Sequence, residues 1–324
     1  MPQIAVTDIY EKSCLALTKH GAAPWIADEV AKAVARAEAL GNIICGLYYL
    51  ESYCIQLKSG RVKGDVEPEV QMIRPGFIKS DARYGFAQPA FTRALPMALE
   101  AARTNGTVTL AVAHAHTCTS LGYFTEQIAE AGFIAIGFTN ASPIVAPPGG
   151  KNRVIGTNPI SMAVPGESSP VMQFDFSTSA VALGKITMAK AAGEAIPLGW
   201  AVDADGQPTT DPDAALAGSL VSTGGYKGWG FGLMGEVMAA ALTGSVNSLD
   251  VGGLKLPDGP PHGLGQTYLI LDPTVSTEFG ARMARVIEAV EAQEGARIPG
   301  AHRKPMTDVD VPEALWALTL RLSA

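Results

Sequence analysis

The sequence is poor in charged residues, in cysteine and in long apolar runs. Charged residues make up 17% of the 324 positions, and acidic residues exceed basic ones, so that the formal net charge is −7. This balance argues against a nucleic acid partner, because such binding depends on cationic side chains that neutralise phosphates. No uninterrupted apolar stretch reaches the roughly 18 residues of a membrane-spanning helix. We therefore expect neither a nucleic acid nor a membrane partner.

Cysteine is scarce and scattered. The four cysteines, at positions 14, 45, 54 and 118, form no CxxC pair, and thiols with this distribution are expected to be reduced and structural. The N-terminal residues MPQIAVTDIYEKS lack the basic and apolar regions of a signal peptide. These features predict a cytoplasmic protein. A small anionic ligand is compatible with the acidic net charge wherever basic residues converge.

The chain does contain 47% apolar residues, enough for a large core in one elaborated domain or in two. Helical spacing of apolar residues and β-branched runs both occur along it. Helices are predicted over 24–41, 45–60, LGYFTEQIAEAG, 278–293 and 311–322, and strands over 107–116, 132–141, 170–178 and 266–273. The sequence thus predicts a mixed α/β fold that is helical at both ends.

The stretch GGYKGWGFGLMGE contains Gly230-x-Gly232-x-x-Gly235, which is the spacing of a Rossmann fingerprint. A Rossmann turn joins a strand to a helix, and an acidic residue ends the next strand about 20 positions later. Asp250 has this spacing, but its surroundings, GSVNSLDVGGLKLPDGPPHG, are too rich in Gly, Pro and Ser for a buried strand. We interpret the glycines instead as a turn and a closely packed helix, FGLMGEVMAAAL.

Lys227 lies among these glycines, where the backbone can approach a ligand closely and an ammonium can bind a phosphate or a carboxylate. The alternative interpretation is a solvated loop lysine.

Six ordered segments resemble the malate/L-lactate dehydrogenase family of NAD(P)-dependent oxidoreductases. This group includes ureidoglycolate dehydrogenase, sulfolactate dehydrogenase and the Δ1-piperideine-2-carboxylate reductases. The segments are LGYFTEQIAEAG, FTNASPIVAPPGG, VIGTNPISMAVP, FDFSTSAVALGKI, GWAVDADGQPTTDP and GGYKGWGFGLMGE, and they cover most of residues 107–240.

The resemblance implies a cofactor domain that is not Rossmann-like. Its sheet would be largely antiparallel, flanked by helical N- and C-terminal segments, and NAD or NADP would bind in a cleft between the domains of a homodimer. Residues 1–75 would form a helical part of the substrate and dimer domain, and 76–260 the central cofactor domain. Residues 261–324 would pack back on the N-terminal part.

The resemblance also implies which residues contact the ligands. Hydroxyls and turn amides would hold ribose and pyrophosphate, while lysine and arginine supply positive charge. The cofactor contacts would be Thr117, Cys118, Thr119, Ser120, Leu121, Ser142, Asp175, Phe176, Ser177, Lys227, Arg297 and Arg303, and Tyr49, Thr157 and Lys185 would be the substrate positions. If the cofactor is NADP, its ribose 2′-phosphate could be bound by Arg297, Arg303 and Lys304.

The chain departs from the family at the positions that carry its chemistry. Ile44 and Cys45 replace the Ser-His pair that handles the proton, and Tyr49 replaces the Arg that clamps the substrate carboxylate. Thr117 replaces a further His, and Lys185 replaces an Asp of the reductase branch. If another cation binds the carboxylate, the sequence offers Arg74, Arg83 and Lys185; otherwise the substrate differs from a simple 2-oxo acid.

Reduction of a ketone or an imine needs a proton donor with a pKa near the working pH. His114, His116 and Cys118 alternate, and all three would share one face if their strand continued. His116 adjoins the inferred cofactor segment, so that His116, with Cys45, is the predicted acid–base residue. A hydrogen-bonded structural histidine is the alternative.

The leading hypothesis is an NAD(P)-dependent oxidoreductase for a small 2-oxo or 2-hydroxy acid or a cyclic 2-imino carboxylate, with no metal. A second hypothesis is a family member that binds cofactor without the usual catalysis, on an atypical substrate or as a binding protein. A third is a metal-dependent hydrolase in which His114 and His116 share a zinc ion. Only His20, His262 and His302 remain to complete such a site.

Overall fold

The computed structural model of the chain describes residues 1–301 and 303–324. The helices in this part of the chain are α1 (Val6–Lys19), α2 (Pro24–Ala39), α3 (Leu50–Ser59), α4 (Ala87–Asn105), α5 (Gly122–Glu130), α6 (Leu183–Ala192), α7 (Pro212–Ala217), α8 (Tyr226–Glu236), α9 (Phe279–Glu291) and α10 (Glu313–Ser323). The strands are β1 (Gln3–Ala5), β2 (Glu69–Arg74), β3 (Phe77–Asp81), β4 (Thr107–Ala115), β5 (Ile134–Thr139), β6 (Ile160–Val164), β7 (Met172–Phe176), β8 (Ala201–Val202), β9 (Pro208–Thr209), β10 (Ser219–Leu220), β11 (Leu264–Leu271) and β12 (Asp308–Asp310).

A seven-stranded sheet in the order β2-β3-β4-β11-β5-β6-β7 forms the centre of the molecule. Among its described pairs only β3 and β4 are parallel, and α4 is the crossover that joins them. The other neighbours pair antiparallel. The predicted fold class, a mixed α/β protein with a largely antiparallel sheet, is confirmed.

The main core lies between this sheet and helices α4 and α5. The face of α4 that meets the sheet consists mostly of alanines, which let the helix approach the strands closely. Three aromatic rings fill the remaining space, with Phe91 at 5.0 Å from Phe124 and 5.1 Å from Tyr268 between ring centroids. This packing fixes the end of β4, from which the predicted cofactor segment emerges.

The terminal segments share a second core. Helix α1 packs against α2 and α10, and β1 pairs with β12. Apolar residues that recur at helical spacing in the sequence are buried here: Ile26, Val30, Val34 and Ala37 on α2, and Leu47, Leu50, Cys54 and Leu57 around α3. The proposed domain boundaries stay predictions, although β11 lies in the centre of the large sheet rather than with the terminal helices.

The helix predicted over 45–60 begins five residues later than expected. Two 3-10 turns, Ile43–Cys45 and Leu47–Tyr49, precede α3. Gly46 lies between them against the buried Glu38, whose Oε1 accepts the N–H of Leu47 at 2.7 Å. A Cβ at Gly46 would lie 2.2 Å from the same oxygen. The tertiary contact therefore breaks the helix in the segment that carries Cys45 and Tyr49.

The β2–β3 hairpin, helix α4 and strand β6 were not predicted from the sequence. Strand β2 is mostly exposed along its length and therefore shows no two-residue alternation. In the part of the chain that the structure describes, no helix combines the length and apolarity that crossing a membrane requires.

Candidate active site

A cavity of about 270 Å³ separates the N-terminal helices from the edge of the large sheet. It lies between the end of α2, the start of α5 and strand β7. Its lining residues are Arg36, Ala37, Leu40, Gly41, Asn42, Ser120, Gly122, Tyr123, Gln173, Phe174, Asp175 and Arg303. The cavity thus brings together three of the predicted cofactor residues, Ser120, Asp175 and Arg303, from distant parts of the sequence.

Asp175 holds the two sides of this cavity together. Its Oδ2 accepts the N–H of Gly122 at 2.7 Å and the hydroxyl of Ser120 at 3.4 Å. The side chain is reachable from the cavity. The surrounding protein nevertheless raises the pKa of its carboxyl, and the hydrogen bonds from Gly122 and Ser120 oppose that rise. A carboxylate in this setting is an acceptor for hydroxyl groups of a ligand.

The arginines at the cavity differ in their freedom to meet an anion. Arg36 is engaged by Glu126, with Nη2 at 2.6 Å from Oε1 and Nε at 3.0 Å from Oε2. Arg303 is exposed and donates to the carbonyl of Leu40. The segment before it is pinned to β7 by the N–H of Gln173, which donates to the carbonyl of Pro299 at 2.8 Å. Arg303 therefore retains donors for a phosphate, while Arg36 is largely committed to its carboxylate.

The predicted segment from Thr117 to Leu121 is only partly accessible. Thr117, Cys118 and Leu121 are buried, and the N–H of Thr117 donates to Nδ1 of His262 at 3.2 Å. Thr119 has a φ of 60° and, with Ser120, forms the half-buried surface of the turn. Thr119 and Ser120 can therefore contact a ligand directly. Thr117, Cys118 and Leu121 are buried and support the conformation of the turn.

The turns before α3 place Cys45 and Tyr49 near this surface. Burial raises the pKa of the Cys45 thiol to about 12, and the nearby Asp175 carboxylate adds to the rise. Burial likewise raises the pKa of Tyr49 to about 12. The ring of Tyr49 packs on Tyr53 at a centroid distance of 5.8 Å. Both groups are protonated at neutral pH and can donate hydrogen bonds, but both are weak acids.

His116 lies beneath this surface rather than on it. The residue is 2% exposed, and its ring stacks on His262 at a centroid distance of 4.0 Å. Gln56 donates through Nε2 to two backbone carbonyls, so its Oε1 accepts from His116 Nε2 at 2.6 Å. Burial lowers the pKa of His116 well below its usual range, and the imidazole is neutral. Any proton that His116 supplies must pass through a neighbouring group.

His114 does not share a face with His116 and Cys118, because β4 ends at Ala115 and the backbone of His114 has a φ of 50°. The imidazole of His114 instead lies 2.9 Å from Asp81 Oδ2 through Nδ1 and 3.2 Å from the carbonyl of Gly244 through Nε2. The arrangement that a shared zinc ion would need is therefore not formed. Among the described residues no group of three His, Cys, Asp or Glu side chains is placed to hold a metal ion, and His302 lies outside them.

The glycine motif lies inside a helix rather than at a strand–helix turn. Gly230, Gly232 and Gly235 all belong to α8, which continues as a π-helical segment, Val237–Ala241. A Cβ at Gly232 would lie 2.6 Å from the Ile155 side chain and one at Gly235 would lie 3.0 Å from that of Asn158. The small residues thus permit close packing on the loop 155–158, as we interpreted them.

Lys227 is exposed at the first turn of α8. The chain that leads into this turn runs beside the predicted Ser177, because the N–H of Thr223 donates to the carbonyl of Thr178 at 3.0 Å. Thr157 joins the same region, since its carbonyl accepts the N–H of Thr178 at 2.9 Å. A second group of predicted residues, Thr157, Ser177 and Lys227, therefore converges at the start of α8.

The remaining predicted residues lie apart from the cavity lining. Ser142 is half-buried in the loop after β5, Lys185 is exposed on α6, and Arg297 is exposed in the loop after α9. Phe176 is 56% exposed at the end of β7 and stacks on Phe174 at 4.5 Å between centroids. Of these, Phe176 follows Asp175 in the sequence and packs on Phe174, which lines the cavity.

Sequence reasoning missed Lys255. Its Nζ lies 3.1 Å from the centroid of the Tyr48 ring and 4.6 Å from that of Tyr49, and it donates to the carbonyl of Tyr48 at 2.9 Å. Burial lowers the pKa of this ammonium to about 8. The residue belongs to a loop rich in glycine and proline, where no periodic pattern could mark it.

The chain is similar in sequence to a family of known enzymes. The sequence pattern of the family described as malate/L-lactate dehydrogenase matches residues 5–311. The chain is 38% identical over 306 residues to (2R)-3-sulfolactate dehydrogenase (NADP(+)) of Chromohalobacter salexigens, covering 93% of this chain and 92% of that protein. It is 35% identical over 336 residues to Δ1-pyrroline-2-carboxylate/Δ1-piperideine-2-carboxylate reductase of Pseudomonas aeruginosa, covering 99% of each.

Solved structures show the same fold. The crystal structure of Δ1-piperideine-2-carboxylate reductase from Pseudomonas syringae superimposes with a TM-score of 0.92 at 30% identity, covering 99% of this chain and 100% of that one. Sulfolactate dehydrogenase from Methanocaldococcus jannaschii gives a TM-score of 0.90 at 26% identity, covering 99% and 96%. The relatives are named dehydrogenases and reductases, which confirms the predicted class of activity, an NAD(P)-dependent oxidoreductase. The chain belongs to the malate/L-lactate dehydrogenase family.

Proposed function

We propose that the chain reduces a small cyclic 2-imino carboxylate or 2-oxo acid with NADPH, or catalyses the reverse oxidation. The observation that carries this proposal is the cavity at Asp175, where a reachable carboxylate, an exposed arginine and the residues at the end of α2 meet. The names of the relatives support both substrate classes and, for the sulfolactate enzyme, NADP.

The residues at the cavity and at α8 fit a pyridine nucleotide. The Asp175 carboxylate can accept from ribose hydroxyls, while Arg303 and Lys227 are exposed cations suited to phosphates. Phe176 offers an aromatic face for a flat ring. When bound, the cofactor supplies the hydride. The protein must position a carboxylate-bearing substrate beside it and supply one proton.

Cys45 and His116 are the proposed proton donors, and the surroundings of each side chain limit how it can act. The Cys45 thiol is near the cavity but is a weak acid, and His116 is neutral and buried, so that it can act only through a neighbour. The ring of Tyr53 packs on both Tyr49 and His116, at 5.8 Å and 5.5 Å between centroids. A pH profile of kcat for the Cys45→Ser and His116→Asn variants shows which of the two side chains supplies the proton.

We test the proposal by cofactor binding and turnover. Saturable quenching of tryptophan emission by NADPH is expected, because Trp229 lies two residues from Lys227 on α8. NADPH oxidation should then be followed with Δ1-pyrroline-2-carboxylate, Δ1-piperideine-2-carboxylate, 3-sulfopyruvate, pyruvate and oxaloacetate. We expect turnover with at least one of these. Failure to bind either NADPH or NADH at millimolar concentration would contradict the proposal, and binding without turnover would favour the non-catalytic alternative.

We further propose that the protein works as a cytoplasmic homodimer. The cytoplasmic assignment is supported by the four cysteines, all of which are free. The dimer is supported by apolar side chains exposed along α8 and its extension, among them Phe231 at 55% and Val237 at 58%.

We expect Val237→Glu to convert the dimer to a monomer, because a charge buried at an interface is costly. Light scattering after size-exclusion chromatography measures this change. Leu198→Glu, at a residue that is 70% exposed outside α8, is the control and should remain dimeric. A monomeric wild type would refute the dimer, and a dimeric Val237→Glu protein would exclude this face as its interface.

A further inference from the structure

The loop after the π-helical segment carries a lysine into the neighbourhood of the Cys45 turn. Lys255 lies over the rings of Tyr48 and Tyr49, within the distance at which an ammonium is attracted by an aromatic face. Tyr49 occupies the position at which the family resemblance places an arginine. The ammonium of Lys255 therefore lies beside the position from which that positive charge is missing.

Buried polar groups hold this loop in place. Gln56 Nε2 donates to the carbonyls of Leu254 and Leu256 at 2.9 and 2.6 Å, on both sides of Lys255. Arg61 Nη1 donates to the carbonyls of Gly253 and Leu256 at 3.0 and 2.7 Å. Lys255 is therefore carried by an anchored backbone. The residue as a whole is exposed, but the two tyrosine rings partly shield its ammonium from water.

Other cations are less suited to the same task. Arg36 is held by Glu126. Arg74 ends β2, Arg83 follows β3 and Lys185 lies on α6, and no described contact joins any of the three to Tyr49. Among the residues that the structure describes, Lys255 is the cation in contact with Tyr49, which occupies the arginine position.

We propose that Lys255 binds the carboxylate of the substrate, in place of the arginine that this chain lacks. This inference rests on the proposed function, since it names the group that recognises the substrate at the same site. The tyrosine rings would hold the ammonium near the site before the substrate arrives. A carboxylate would then replace a weak ring contact by a charge-assisted hydrogen bond.

The ionisation of Lys255 gives the inference a pH signature. Burial lowers the pKa of Lys255 to about 8, and Glu51 opposes this fall. The other groups that face it are Tyr48 and Tyr49, and Tyr49, whose pKa is raised to about 12, stays neutral. The lysine is charged below pH 8 and loses its charge above it. Affinity for a carboxylate should therefore fall as the pH rises through about 8, and should not do so in Lys255→Arg.

The test compares two planar probes with the NADPH-loaded and the cofactor-free enzyme. Pyrrole-2-carboxylate carries the carboxylate of the proposed substrates, and pyrrole-2-carboxamide is its neutral counterpart. Calorimetric titration should show the wild type preferring the carboxylate by about 10- to 100-fold, the size expected for a hydrogen bond between charged groups. Lys255→Ala and Lys255→Gln should lose this preference, while Lys255→Arg keeps most of it. Lys63→Ala is the matched control, because Lys63 also lies over a tyrosine ring, that of Tyr84, at 5.6 Å.

Retention of the preference in both Lys255→Ala and Lys255→Gln would overturn the inference, as would its absence in the wild type. Titration of NADPH into the same variants distinguishes a failure of the Lys255 inference from a failure of the proposed function. Lys255 has no part in the proposed cofactor contacts, so the affinity for NADPH should be unchanged. In steady-state assays the substitution should raise KM with little change in kcat, as loss of uniform binding does. A fall in kcat at constant KM would contradict a role in binding.

Discussion

Gly228→Ala should weaken NADPH binding by about 100-fold, whereas Gly230→Ala, two residues along the same helix, should leave it intact. A Cβ at Gly228 would lie 1.7 Å from the carbonyl oxygen of Thr223 and 2.8 Å from its carbon. Both atoms are backbone, so no flexible side chain can yield. The first turn of α8 must move, and Lys227 and the neighbouring Ser177 segment would move with it. A Cβ at Gly230 meets nothing within 4 Å.

Fluorescence titration and thermal unfolding check this pair of variants. Overpacking in Gly228→Ala should also lower the free energy of unfolding by about 1–3 kcal/mol. Gly230→Ala should match or exceed the wild type in Tm, because alanine favours the helix by up to about 1 kcal/mol over glycine. Equal NADPH affinity in wild type and Gly228→Ala, or an equal loss in both variants, would show that the turn does not hold the cofactor.

Asp175→Asn should weaken NADPH binding by about 10- to 100-fold and yet leave the fold as stable as before, or more so. Asparagine has nearly the same shape, and its Oδ1 can still accept the N–H of Gly122 that now bonds to Asp175 at 2.7 Å. The substitution removes the negative charge that would strengthen hydrogen bonds from the ribose hydroxyls to this side chain.

The sign of the stability change follows from the raised pKa of Asp175. The folded state binds this proton more tightly than the unfolded state, so the ionised carboxylate costs folding free energy at neutral pH. That cost is absent below the unfolded pKa and grows as the pH rises to the folded pKa. Thermal unfolding at pH 7 should therefore show an equal or higher Tm for Asp175→Asn. Asp203→Asn, in an exposed turn where the carboxylate accepts two backbone N–H groups, is the control and should bind NADPH normally. A large loss of Tm in Asp175→Asn would instead assign Asp175 a structural role.

Elements with strong local patterns could be predicted from the sequence. Helix α2 begins at Pro24 and buries a face of regular spacing, and β4 is a β-branched run that is buried from both sides. The family resemblance added the antiparallel sheet and named Asp175, Ser120 and Arg303, which the fold brings to one cavity. Their separation in the sequence gives no local signal that they converge.

Other features depend on tertiary contacts that no local pattern encodes. The break before α3 arises because Glu38 meets Gly46 across the second core. The predicted shared face of His114 and His116 fails because β4 ends between them. Lys255 reaches the turn Leu47–Tyr49 because Gln56 and Arg61 hold its loop by backbone carbonyls, which carry no sequence signature.

A crystal structure of the protein with bound NADPH tests the central claim most directly. The account predicts that Asp175 contacts a ribose hydroxyl, that Lys227 or Arg303 contacts a phosphate, and that the nicotinamide C4 faces the turn that carries Cys45 and Tyr49. A nucleotide bound elsewhere, with the cavity at Asp175 filled by the protein's own side chains, would contradict it.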